Sequence, residues 1–98
     1  MAALYSVRFA LATGGTFVYV VPAGKRAVIK CVSMFNYDTV VRTWQLAIPP
    51  HPVLYRSLPA SGAAELENLH IVVNAGESIE GSAGPKVGYH VSGYLLEA

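Results

Sequence analysis

At 98 residues the chain fits one domain, residues 1–98, built around a single core. Charged side chains make up only 13% of it, against about 25% in an ordinary soluble domain, while apolar residues reach 53%. The net charge of +1 is scattered, with no basic cluster beyond Lys25-Arg26, which excludes the electrostatic footprint that nucleic acid requires.

The opening Met1-Ala2-Ala3-Leu4-Tyr5 lacks the basic region and apolar core of a signal peptide, and no apolar run approaches the roughly 18 residues of a membrane span. The expectation is a protein made in a cytoplasm that neither spans nor crosses a membrane. Alternation over residues 4–12 predicts a strand with Tyr5, Val7, Phe9 and Leu11 on one face and Ser6, Arg8 and Ala10 on the other. Gly14-Gly15 reads as a turn into a second strand over residues 16–21, rich in β-branched and aromatic residues. A tight turn follows, with Pro22 presetting φ and Gly24 supplying a positive one.

A third strand is predicted over residues 26–35, with Ala27, Ile29, Cys31, Ser33 and Phe35 on one face. After a turn at Asn36-Tyr37-Asp38, residues 40–48 read as a fourth strand in which Trp44 is a core anchor. Pro49-Pro50-His51-Pro52 cannot lie in a central strand, because proline donates no ladder hydrogen bond, so it is an exposed loop or sheet edge. Short strands follow at residues 53–58 and 66–74, separated by a small, flexible connection. Asn74 and Gly76 then build a second turn like the first. A strand at 78–81, a glycine-rich turn at 82–85 and a last strand at 87–97 complete the chain, with Gly93 marking a bulge or a close backbone approach. The predicted fold is all-β: a single antiparallel β-sandwich of seven or eight strands, jelly-roll-like or Ig-like.

Motifs for chemistry are missing. His51, His70 and His90 are the only side chains that titrate near neutrality. His70 and His90 fall in different strands that a sheet can bring together near Glu67 or Glu80, but no HExxH, Gly-x-Ser-x-Gly or phosphate-binding glycine motif accompanies them. Cys31 is the only cysteine, which excludes a disulfide within the chain and a multi-thiolate zinc site. The expectation is no catalytic, cofactor or metal site, and hence no enzyme.

So few charges cannot clothe a small domain, and uncovered apolar surface marks contacts with other proteins. Companion subunits are therefore expected. The candidate contact residues are Pro49, Pro50, His51, Pro52, Tyr55 and Arg56, with the connection at 57–64 beside them. A competing reading is a carbohydrate-binding module with a platform drawn from Tyr37, Trp44, Tyr55 and Tyr94.

The run Tyr19-Val20-Val21-Pro22-Ala23-Gly24-Lys25-Arg26-Ala27-Val28-Ile29-Lys30, then Asn36, Asn74-Ala75-Gly76-Glu77 and Val91-Ser92-Gly93-Tyr94, resembles small bacteriophage virion proteins that decorate heads or belong to tails. The resemblance spans most of the chain and rests on turn chemistry. It implies a non-enzymatic structural subunit of a virion, assembled in the host bacterial cytoplasm as a homo-oligomer (a trimer or ring) with other capsid or tail proteins. The proline-rich loop at 49–52 departs from the pattern.

Overall fold

The computed structural model describes residues 4–97, with side chains from Ser6 onward. The expectation about a leader at Met1 to Ala3 and the expected facing of Tyr5 fall outside the described residues and side chains. Seven strands follow in order: β1 (Leu4–Val20), β2 (Lys25–Asn36), β3 (Arg42–Ile48), β4 (His51–Leu58), β5 (Ala63–Leu66), β6 (Ile71–Val73) and β7 (Ser78–Glu97). All the pairings are antiparallel and no helix forms among the described residues, as the alternating pattern predicts.

The last strand is the hub. One side of β7 pairs with β1 along nearly its whole length; the other pairs with β3 at residues 80–83 and with β2 at residues 87–97. β4 extends the β3 side, while β5 and β6 lie in tandem beyond β2.

Two segments read as turns are instead bends inside continuous strands. Gly14 and Gly15 take φ of 70° and 72°, open to glycine at little cost, and shift the register of β1 without reversing it. Opposite them β7 bends at 84–86, where Lys86 has φ 64°. The shared bend divides one curled sheet into two halves. The first half holds β5 and β6, β2, residues 87–97 of β7 and residues 4–13 of β1; the second holds β4, β3, residues 78–83 of β7 and residues 15–20 of β1. The result is a sandwich-like half-barrel of 47 × 23 × 17 Å.

The halves fold over a common core of Phe9, Val21, Ile29, Val32, Met34, Trp44, Leu46, Val73, Ile79, Val87, Tyr89 and Val91. Aromatic pairs bridge them. Phe9 of the first half meets Tyr19 of the second edge to face with centroids 5.1 Å apart, and Tyr89 of the first half lies 5.5 Å from Phe17 and 6.3 Å from Trp44 of the second.

Two of the register shifts, both beside Ser92 of β7, invert which side chains face inward. A bulge at Phe9 turns Phe9 and Ala10 inward together and sends Leu11 out, opposite to its expected facing. A second bulge in β2, at Lys30, likewise leaves Phe35 outside while Val32 and Met34 go in. Gly93 faces this second bulge, where a Cβ would run into the Val28 carbonyl oxygen.

Candidate interaction surface

The two predicted turns lie side by side. Lys25 N–H donates to the Pro22 carbonyl and Glu77 N–H to the Asn74 carbonyl, and Gly24 and Gly76 supply φ of 76° and 82°. Val21 joins them, accepting from Gly76 N–H and donating to the Glu77 carbonyl. Asn74 N–H is further held by the Glu77 carboxylate at 2.7 Å.

Pro49 and Pro50, joined by a cis peptide bond, form the exposed tip of the β3–β4 hairpin. His51, Pro52, Tyr55 and Arg56 are not in a loop with them but on β4, an edge strand whose only partner among the described residues is β3. Tyr55 is more than half exposed, and Arg56 caps its carbonyl at 2.9 Å. The sheet-edge alternative is the one realised at His51 and Pro52, because proline is admitted to an edge strand, where one row of backbone groups faces water, and Tyr55 and Arg56 lie in the strand expected over 53–58.

Of the other sequence-singled residues, Trp44 is fully buried and leaves the aromatic platform. Tyr94 is half-buried in the first half-sheet, whereas Tyr37 and Tyr55 belong to separate parts of the surface. His70 is exposed just ahead of β6, and His90 sits half-buried on β7 between Leu11 of β1 and Ser33 of β2. No group of three or more His, Cys, Asp or Glu side chains is placed to hold a metal among the described residues.

Two outer-face depressions were not foreseen. On the first half-sheet a groove of about 360 Å³ is lined by Leu11, Thr13, Ser33, Phe35, Tyr37, Glu65, Gly88 and His90. Gly88 leaves its floor bare, and the Tyr37 ring lies over that gap in contact with Phe35, their centroids 4.7 Å apart. A smaller one of about 270 Å³ lies on the second half-sheet between Val18, Gln45, Ala47 and Glu80. The bulges that turn Leu11 and Phe35 outward create the first groove, so no reading of strict alternation would locate it.

The loops beside this groove are held by one side chain. Asn36, fully buried at the end of β2, donates through Nδ2 to the carbonyls of Val40, Leu58 and Pro59 and accepts from Asp38 N–H. Asp38 in turn receives Arg42 Nε and Nη2 on one oxygen, at 2.9 and 2.7 Å, and this hydrogen-bonded guanidinium holds its carboxyl below the usual range. In the core, burial pushes the Tyr89 phenol up; neither its hydroxyl nor Trp44 Nε1 has a hydrogen-bond partner.

Large apolar side chains remain uncovered on several faces. Leu11, Val18, Val20, Tyr37, Val41 and Tyr55 are each more than half exposed. Patches of this kind are where soluble proteins meet partners.

No family model and no curated protein matches the chain. Among solved structures, the NLP core of Drosophila, described for pentamer formation and histone binding, is similar with a TM-score of 0.61 over 94% of this chain and 96% of that one, at 12% identity. An exo-β-1,3-galactanase from Phanerochaete chrysosporium gives a TM-score of 0.40 at 12% identity, over 98% of this chain and 29% of the enzyme. A family two carbohydrate esterase from Cellvibrio japonicus gives 0.37 at 14% identity, over 99% of this chain and 34% of the enzyme. The first likeness is one of fold; the other two are too distant to carry an argument.

Proposed function

We propose that the chain is a non-enzymatic structural subunit of a bacteriophage particle, a homo-oligomer that decorates the capsid or forms part of the tail through contacts with other virion proteins. The observation that carries assembly is the pairing of a 13% charged composition with many apolar side chains left more than half exposed. Placement in a virion rests on the resemblance in the turn segments around Pro22, Gly24, Asn74 and Gly76. The Drosophila core is described as forming a pentamer, so a fold of this kind supports ring assembly. Its histone binding is not carried over, since a net charge of +1 gives no overall attraction for a basic partner.

Two measurements test this reading. Light scattering on the purified chain is expected to give a multiple of the 10.4 kDa subunit mass. Mass spectrometry of purified particles from a host carrying the gene is expected to recover the chain in stoichiometric amount. A monomer absent from particles would overturn it.

The exposed Phe35–Tyr37 pair above a polar-rimmed groove favours carbohydrate binding as the second reading. A glycan array is its test: hits lost in Tyr37→Ala support it, and an array with no hits removes it.

A further inference from the structure

Every open sheet ends in strands whose outer row of N–H and C=O groups is unpaired, and proteins blunt such edges with proline, charge, bulges or shortness. This molecule blunts its edges unequally. β4 carries Pro52, Arg56 and a bulge near Leu54; β5 and β6 are only four and three residues long, with Glu65 on β5. β1 runs for 17 residues without proline, Arg8 is its only charged side chain, and residues 9–20 hold none. Among the described residues β1 pairs with β7 alone, so the other edge of its backbone is open.

The side chains tell the same story. Inward residues of the hub strand (Ile79, Val87, Tyr89 and Val91) are buried, whereas on β1 only Phe9 and Ala10 at the bulge are, and the inward residues Val7, Ala12, Phe17 and Tyr19 are half covered. On the outer face Val18 and Val20 are 63% and 60% exposed. A neighbouring strand is what this edge lacks on both faces.

We infer that β1 pairs antiparallel with β1 of a second copy of this chain, about a two-fold axis at Val18. This rests on the assembly reading above and names the surface that serves it. A two-fold normal to a sheet edge makes an antiparallel, self-complementary contact. Centred on Val18, between the Gly14-Gly15 bend and the end of the strand, it sets Thr16 opposite Val20 outside and Phe17 opposite Tyr19 inside, closing over the two half-covered rings. No charge meets a like charge, because residues 9–20 hold none. The remaining edges of a second copy fit less well, since they bring Pro52 and Arg56, or a few residues with Glu65. Such a contact joins copies two by two; a trimer or ring then needs a second, heterologous contact elsewhere.

The test is sedimentation velocity and light scattering on the full chain, wild type against Val18→Lys. Because Val18 is exposed, the variant is expected to keep its circular dichroism and melting temperature while two like charges meet at the axis and weaken association about tenfold or more. Thr16→Lys, also exposed, sets its charge against Val20 of the second copy and not against a like charge, so it is expected to weaken association less, and Val72→Lys on β6 is expected to leave the mass unchanged. Mixing Val18→Lys with Val18→Glu is expected to restore the pair. A folded Val18→Lys that associates like the wild type overturns the β1 contact and leaves the assembly reading standing. A wild type that stays monomeric at every concentration overturns both.

Discussion

The two half-sheets bury their inner faces by different means. The first does so by packing its own strands, with β2 and the second part of β7 lined by Ile29, Val32, Met34, Val87, Tyr89 and Val91. The second depends on a few large anchors: Trp44 and Leu46 are fully buried on β3, while β4 beyond them is exposed at all but two positions. Every ring contact that crosses between the halves ends on Phe9 or Tyr89 of the first. Besides the continuous strands β1 and β7, the second half leans on a few aromatic contacts, and the two ought to respond unequally to substitution.

The largest effect is expected for Trp44→Ala, which empties the anchor of the second half and costs about 3–5 kcal/mol in urea unfolding. Hydrogen exchange should then show β3 and β4 opening ahead of β2; uniform loss of protection would break the distinction between the halves. Gly93→Ala acts on the first half, forcing a methyl against the Val28 carbonyl, and is expected to cost about 3 kcal/mol. Asn36→Ala strips a donor from the carbonyls of Val40, Leu58 and Pro59 and so loosens the link between the end of β2 and the end of β4. A loss of about 2–3 kcal/mol is expected, read as a lower denaturation midpoint.

Smaller effects follow from titration. The lowered Asp38 value means that its ionised form stabilises the fold at neutral pH, and this stability is lost as pH falls through that value. Below about pH 4 the wild type should therefore lose stability more steeply than Asp38→Asn. For Tyr89 the raised value acts in the opposite window: the neutral phenol is retained in the fold, and stability falls as pH rises above about 10. Tyr89→Phe is expected to flatten that alkaline loss. Because the hydroxyl has no partner, the substitution is expected to raise stability at neutral pH by up to about 1 kcal/mol.

Much of the architecture was legible from residue pattern alone. Trp44 alternates in phase with Val40, Leu46 and Ile48, and it is the buried anchor of β3. The Pro22-Gly24 and Asn74-Gly76 segments are turns, and Gly93 does mark a close backbone approach. What escaped was continuity and phase. Gly14-Gly15, like the Gly84-Pro85 pair, permits a reversal or a bend with equal ease, and only the partner strand decides between them. A bulge has no composition of its own, so nothing in the sequence warned that Phe9 and Lys30 would invert the facing of Leu11 and Phe35. The surface inherits both errors: the groove needs the inversion, and the long β1 edge needs the continuity.

Among the described residues β7 is the strand that β1, β2 and β3 share, and β1 has no other partner. During translation β1, β2 and β3 emerge before the strand they share, and no ladder among them exists without it. β3 can meet β4, and β2 can meet β5 and β6, as those strands emerge, but β1 stays unmatched until residues 78–97 appear and then closes contacts across nearly the full length of the chain, which makes for slow folding. Truncation within β7 would leave β1 without its partner and the β2 and β3 ladders unjoined, open to chaperones and proteases.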